Sequence, residues 1–174
     1  MATIAYYPTF VHVAPSHDRH ADPCPGRTPT GGTGRETRFD ALRLAKQAGT
    51  LSGTIDARAL PQVADGLAPG PGAVPIVWTV AGAASVDGRP ALSISVSGRM
   101  PLVCQRCLAP FDWVVDQNTE LVLAADEREL AALDERIEAE VIAADRPIDA
   151  AELVEAELVL SLPYAPRHEG ACPS

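Results

Sequence analysis

A strict alternation of apolar and polar side chains runs through residues 91–98, ALSISVSG. Its leucine, isoleucine and valine fall on one side of an extended chain and its serines on the other, which is the pattern of a β-strand with one buried face. Asp87-Gly88, a pair typical of tight hairpin turns, lies just before it, and the apolar run VPIVWTV at 74–80 lies before that pair. This stretch therefore predicts two antiparallel strands joined by a short turn.

Further strands and helices are predicted on both sides of this hairpin. Strand patterns occur in TLSGTID (50–56), FDWVVDQNTELVLAA (111–125) and RIEAEVIAAD (136–145), and helical patterns occur in FDALRLAKQAG (39–49), ARALPQVADGL (57–67) and IDAAELVEAELVLSLP (148–163). The charged residues 127–135 between them predict a loop or a short helix. Together these elements predict an α+β fold, an antiparallel β-sheet with helices packed on one side.

The last of these helices carries its own start signal and a candidate buried face. Asp149 can cap its first turn, and Glu152 three residues later completes a capping-box pattern. Leu153, Ala156 and Leu160 repeat at helical spacing, so the sequence predicts that these three side chains form the apolar face of the helix.

The length and composition of the chain fit one domain preceded by an arm. The chain has 174 residues and is 47% hydrophobic, which suits a single domain with a substantial core. Residues 13–36, VAPSHDRHADPCPGRTPTGGTGRE, are rich in proline, glycine, threonine and charge, and they bury too little apolar surface to offset the entropy of ordering. We therefore predict a mostly disordered arm at 1–36 and an α+β domain at 37–174.

The net charge of −9 is spread unevenly along the chain. Residues 1–36 are neutral, residues 37–111 carry +3, and residues 112–174 carry −12, with sixteen acidic and four basic side chains. A polyanion such as RNA is repelled by that last third, whereas a basic protein is attracted to it. The alternative is a solvated acidic surface that only keeps the protein soluble.

Two absences suggest a cytoplasmic protein. No apolar run approaches the length of a membrane span. The N-terminal residues MATIAYYPTFVHVAPSH have no basic region followed by a long apolar stretch, so they do not resemble a signal peptide. Because thiols stay reduced in the cytoplasm, the four cysteines suggest metal binding, catalysis or simple burial before disulfides.

Three of the four cysteines and one histidine have the spacing of a metal site. Cys104 and Cys107 form a C-x2-C pair, and His168 and Cys172 follow near the C-terminus as H-x3-C. Four such ligands can hold zinc tetrahedrally, so the sequence predicts a possible zinc site that ties the C-terminal tail to the end of a β-hairpin. Arg106 would help to offset the net charge of −1 that three thiolates leave on a divalent ion, as would Arg167 beside His168.

Two other interpretations of the C-x2-C pair stay open on spacing alone. Cysteine is among the most buried residue types even without a metal, so the pair can be a packed turn. A redox pair is also conceivable, but thioredoxin-like pairs lie at a helix N-terminus that lowers the thiol pKa, and residues 108–111 do not begin a convincing helix.

Other catalytic arrangements are sparse. The glycine run GGTG at 31–34 has no strand before it and no Lys-Ser/Thr pair after it, so it is not a phosphate-binding loop. Glu155 and Glu157 can do acid–base work, but acids on an exposed helix face are the commoner explanation. We therefore predict no enzyme, no small-molecule substrate and no cofactor other than zinc.

The segments CQRCLAPF at 104–111 and LVEAELVLSLPYAPRHEGAC at 153–172 together resemble the YceD family, the bacterial large ribosomal RNA subunit accumulation proteins. The stretch FDALRLAKQAGTLSGTID at 39–56 is also similar to that family. The resemblance thus covers about residues 38–172. Ala156 stands where family members usually carry an acid, which weakens any role for an acidic pair there.

The resemblance implies a role in the synthesis, processing or stability of 23S rRNA, and hence in ribosome biogenesis, without supplying a mechanism. The charge distribution favours a non-catalytic adaptor whose acidic region holds a basic ribosomal or assembly protein near the large-subunit rRNA precursor. The slightly basic residues 37–111 can touch RNA or another factor. The alternative is an enzyme acting on ribosomal components, either a metal-dependent nuclease or a thiol-dependent catalyst.

Overall fold

A computed structural model of the chain describes residues 37–172. The predicted arm at 1–36 lies outside the described residues, so its disorder stays a prediction, as does the domain boundary at residue 37. The strands of the described part are β1 (Arg38–Phe39), β2 (Thr50–Asp56), β3 (Pro75–Ala84), β4 (Pro90–Val103), β5 (Pro110–Ala124), β6 (Glu140–Ala143) and β7 (Ile148–Asp149). The helices are α1 (Ala41–Lys46), α2 (Pro61–Ala64), α3 (Glu127–Asp134), α4 (Ala150–Ser161) and a 3₁₀ turn (Ala57–Ala59).

Five of these strands form one sheet in the order β2-β3-β4-β5-β6, and β1 pairs with β7 in a separate two-stranded ribbon. All neighbours pair antiparallel except β5 and β6, which are parallel. A parallel pair needs a crossover, and the segment that contains α3 provides it. The predicted α+β class is confirmed, with a mixed sheet where a purely antiparallel one was expected.

The strand register separates the sheet into two unlike faces. Trp78 lies opposite Val96, and Val80 lies opposite Ile94, so these four side chains share one face, which we call the inner face. They are buried in the main hydrophobic core. The opposite face, which we call the outer face, carries the serines of β4. The alternation predicted for residues 91–98 is therefore confirmed.

The helices lie mostly on the inner face. The main core joins inner-face strand residues to Ala41 of α1, Val63 of α2 and Leu158 of α4. α3 is the exception, because Leu133 packs with Val122, which the register places on the outer face of β5. The expected layer of helices on one side is thus present for α1, α2 and α4. None of the helices in the described range is long and apolar enough to cross a membrane.

The predicted buried face of α4 is wrong by part of a turn. Val154 and Leu158 are fully buried, whereas Leu160 is 71% exposed and Ala156 is also exposed. Leu153 is half-buried against the core. Several overlapping sets of apolar residues repeat at helical spacing in α4, so packing on the sheet selects among them. The predicted cap is confirmed, since the backbone N–H of Ala151 donates to the carboxylate of Asp149 at 2.9 Å.

A long hairpin places the cysteine pair. β4 and β5 stay in register from Ala91 opposite Val122 to Val103 opposite Pro110. Residues 104–109 form the loop at the far end of this ladder. Both cysteines of the C-x2-C pair therefore lie where the sheet ends.

Candidate metal centre

The hairpin loop is closed by its own backbone. The N–H of Cys104 donates to the carbonyl of Ala109 at 3.0 Å, and the N–H of Leu108 donates to the carbonyl of Cys104 at 2.9 Å. These bonds bend the loop tightly, so that Cys104 is buried and Cys107 is half-buried at the same end of the sheet. No helix begins at this loop, because β5 follows directly. The redox interpretation therefore lacks the helix N-terminus that lowers a thiol pKa in such pairs.

The C-terminal tail returns from α4 to this loop. The N–H of Gln105 donates to the carbonyl of Pro166 at 2.8 Å, which fixes the tail beside the loop. The rings of Phe111 and His168 lie 5.0 Å apart between centroids, a contact that orients the imidazole. The tail thus delivers His168 and Cys172 to the C-x2-C pair, as the sequence predicted.

The ligand atoms have spacings that suit a tetrahedral ion. The Sγ atoms of Cys104 and Cys172 are 3.8 Å apart, and Cys107 Sγ is 3.6 Å from His168 Nδ1. All four ligand atoms lie within 4.8 Å of one another. A tetrahedral zinc ion with Zn–S of about 2.3 Å and Zn–N of about 2.0–2.1 Å would separate two sulfurs by about 3.8 Å and sulfur from nitrogen by about 3.5–3.6 Å. The donor set and these two distances fit zinc, although ligation itself stays a prediction.

Arg106 supplies positive charge directly at the cluster. Its Nε donates to Cys172 Sγ at 2.9 Å, and its Nη2 donates to the carbonyl of Gly170. The bond to Cys172 raises the pKa of Arg106 further above its usual value. Arg167, the other arginine expected to offset charge, is exposed and makes no recorded hydrogen bond to a sulfur in the described part of the chain. One of the two arginines therefore contacts a candidate ligand.

The loop backbone favours an ionised thiol at Cys104. Burial by itself would raise the pKa of this thiol, but N–H groups of Cys107, His168 and Arg106, together with the His168 side chain, lower it to about 5. The pKa of Cys107 is raised, because burial and the sulfurs of Cys172 and Cys104 outweigh the bond from the Ala109 N–H. In the metal-free cluster Cys104 therefore favours the thiolate, whereas a cation must displace a proton from Cys107.

The two candidate catalytic acids of α4 are engaged in the fold. Glu155 accepts a hydrogen bond from the backbone N–H of Gln62 at 2.7 Å, which ties α4 to α2. Glu157 is only 6% exposed, and the Thr119 hydroxyl donates to its Oε2 at 2.7 Å. The expectation that both acids lie on an exposed helix face is therefore wrong for Glu157, because α4 turns this side chain toward β5.

Comparison with known families finds a match over the C-terminal part of the chain, which contains this centre. Residues 92–174 match the family model described as "Large ribosomal RNA subunit accumulation protein YceD". These residues, just under half of the chain, are therefore similar to the YceD family, in agreement with the resemblance seen in the sequence. This matched segment, which we call the YceD segment, includes β5, β6, α4 and all four candidate ligands.

The YceD match covers only the C-terminal part of the resemblance seen in the sequence. Residues 38–91, with β2 and β3, lie outside the matched segment although they belong to the same sheet as β4 and β5. Their assignment to the family stays an interpretation. No curated protein and no solved structure matches the chain.

Proposed function

We propose that this chain is a non-catalytic, cytoplasmic factor of ribosome biogenesis that supports the synthesis, processing or stability of 23S rRNA. It acts as an adaptor, in which the acidic C-terminal region binds a basic ribosomal or assembly protein and holds it near the large-subunit rRNA precursor. The YceD segment supports the link to large-subunit RNA. The partner and the adaptor mode are inferred from charge.

The observation that carries the proposal is the exposure of the acidic side chains. Twelve of the sixteen acidic residues in 112–174 are exposed. Asp112, Asp116 and Glu120 are spaced four residues apart along β5, an even spacing that places all three on the outer face. Exposed acids that are not neutralised by the fold attract cationic partners and repel phosphate. The acidic region is therefore available to a basic protein.

The acidic character continues from the strand onto a helix. α3 packs against the same outer face through Leu133 and Val122. It carries the exposed acids Glu127 and Asp134. The exposed acids on the outer face of β5 and on α3 together make up what we call the acidic surface. A surface that extends over a strand and a helix suits a folded or extended protein partner better than a small molecule.

In this proposal the metal centre has a structural role. Four protein ligands complete a tetrahedral zinc ion, and zinc sites of this closed kind stabilise folds, whereas catalytic ones keep a position for water or substrate. Here the ligands join the β4–β5 loop to the tail that follows α4. Zinc would thus hold the C-terminal segment against the sheet that carries the acidic surface.

The adaptor proposal is tested by binding to two separate probes. The immobilised full chain is exposed to proteins extracted from purified large ribosomal subunits, and separately to precursor 23S rRNA freed of protein. We expect retention of basic proteins and little retention of RNA. The triple variant D112N/D116N/E120Q should lower protein retention about tenfold, since it removes three charges from the acidic surface.

A matched variant separates the position of the charges from their number. D65N/D145N/E152Q also removes three exposed acids, but none of these residues lies on β5 or α3. It should bind within about twofold of the wild type. Equal losses of protein retention in both triple variants would show that only net charge matters. Retention of RNA alone would contradict the adaptor.

One observation bears on the alternative enzyme, a nuclease or a thiol-dependent catalyst acting on ribosomal components. The lowered pKa of Cys104 is a property of reactive thiols, but this sulfur is buried, and a nucleophile must be reachable. Incubating the chain with precursor rRNA, with and without magnesium, tests the nuclease. Cleavage that Glu155→Ala abolishes would favour the enzyme over the adaptor.

A further inference from the structure

Leu108, in the loop between the two cysteines and β5, has an unusual backbone and an unusual environment. Its φ is +61°, in the left-handed region that favours glycine. The residue is 75% exposed. The turn needs this backbone conformation, because it brings the N–H of Leu108 to the carbonyl of Cys104. The turn does not need a leucine side chain, and glycine would form it without steric strain.

The leucine therefore costs stability and gains nothing in return within this chain. The Cβ atom is strained at positive φ, and an exposed aliphatic side chain recovers nothing by leaving water within this chain. In the described residues the one other non-glycine residue with positive φ is Ala48, whose side chain is a single methyl group. A large apolar side chain at such a position points to a contact made outside the chain.

A second exposed apolar side chain belongs to the segment that lies against this loop. Tyr164 is fully exposed, at 106%, and stands two residues before Pro166 in the tail. Pro166 accepts the hydrogen bond from Gln105 of the loop. The candidate metal centre thus joins the two segments that carry Leu108 and Tyr164.

We propose that Leu108, together with Tyr164, is the apolar anchor that inserts into a pocket of the basic protein partner. This inference rests on the proposed function and adds the apolar contact to its electrostatic one. Interfaces commonly combine a few buried apolar anchors with a charged surface that steers encounter. An aliphatic side chain gains nothing from phosphate, which favours protein over RNA. A second copy of a chain with net charge −9 is repelled, which favours a basic partner over self-association.

Substitutions at 108 can separate binding from folding. Leu108→Gly removes both the strain and the side chain. Leu108→Asn replaces the leucine with a polar side chain of similar size that tolerates positive φ, and Leu108→Met keeps an apolar side chain. Against proteins from purified large ribosomal subunits, we expect the Gly and Asn variants to lose about tenfold or more in retention and Met to lose little. The Gly variant should melt no lower than the wild type.

Two controls match the two unusual properties of this residue. Ala48→Gly relieves a positive φ elsewhere, and Val86→Asn removes a fully exposed apolar side chain from the β3–β4 turn. Both should bind as the wild type does. Unchanged retention in the Gly and Asn variants overturns the anchor, and so does equal loss in Val86→Asn.

The remaining outcomes distinguish the anchor from the function on which it rests. If D112N/D116N/E120Q lowers retention while Leu108→Gly does not, the adaptor stands and the anchor falls. If the wild type retains no large-subunit protein, both fall. If light scattering shows a dimer that Leu108→Gly converts to a monomer, a second copy occupies the site and the proposed partner is wrong.

Discussion

The Sγ atoms of Cys104 and Cys172 lie 3.8 Å apart, although 68 positions separate the two residues in the chain. A disulfide would hold its sulfurs about 2.05 Å apart, so this pair is not bonded. The separation matches the edge of a zinc–thiolate tetrahedron, about 3.8 Å. The tail of the chain therefore meets the end of the β4–β5 hairpin at a distance that suits a bridging ion.

Arg106→Gln should weaken zinc binding by about tenfold or more, because outer-shell partners of metal ligands typically contribute that much. The variant removes the N–H that donates to Cys172 Sγ and the positive charge beside three thiolates. Competition with a chromophoric chelator measures the change. Arg167→Gln removes the same charge near His168 without a recorded sulfur contact and should bind zinc within about threefold of the wild type. Equal effects would show that only net charge matters.

The metal-free chain should become more stable as pH rises from about 5 to 9. The pKa of Cys104 is lowered to about 5 in the fold from an ordinary value of 9.0. Between these values the unfolded chain binds one more proton than the folded chain, so the free energy of unfolding increases with pH. The contribution is complete above pH 9 and is lost as pH falls through about 5.

Urea unfolding of the chelator-treated chain at several pH values measures this dependence. Cys104→Ser should flatten the curve over the same range, since serine does not ionise there. The ultraviolet absorption of thiolate at neutral pH should likewise be present in the folded metal-free chain and lost in Cys104→Ser. A stability that falls with rising pH in this window would contradict the assignment.

Thr119→Val should reduce the free energy of unfolding by about 1–3 kcal/mol, because it leaves Glu157 without its recorded donor in the core. Denaturant unfolding measures the loss. Thr79→Val makes the same change on the outer face of β3 and should alter stability by no more than about 0.5 kcal/mol. If Thr119→Val is also neutral, the bond to Glu157 contributes nothing net.

Local rules predicted the parts of the fold that depend on neighbouring residues. The alternation in 91–98 defined a strand, and Asp87-Gly88 defined the turn before it, because side-chain period and turn geometry are properties of a few consecutive residues. The four candidate ligands could also be read from the sequence, because closely spaced cysteine and histidine residues are typical metal ligands.

Tertiary packing decided what the sequence could not. α4 offers several apolar rows, so spacing selected Leu160, whereas contact with the sheet selected Val154 and Leu158. The parallel pairing of β6 depends on the crossover through α3, which has no signal within β6 itself.

The surroundings of the candidate site were equally hidden from the sequence. The N–H groups that lower the pKa of Cys104 belong to the backbone, which is the same at nearly every residue and so leaves no signal in the sequence. The contact between Phe111 and His168 joins residues far apart in the chain, as does the bond from Thr119 to Glu157. Only the folded chain shows such pairs.

Metal analysis of the full chain purified without chelators tests the central claim most directly. We expect about one zinc ion per chain, retained by Cys24→Ser, whose cysteine lies outside the described residues, and lost by Cys104→Ser and Cys172→Ser. Loss of zinc should also lower the melting temperature, because a metal bound only by the folded state stabilises it. A chain purified without metal, or Cys104→Ser that keeps its zinc, would contradict the account.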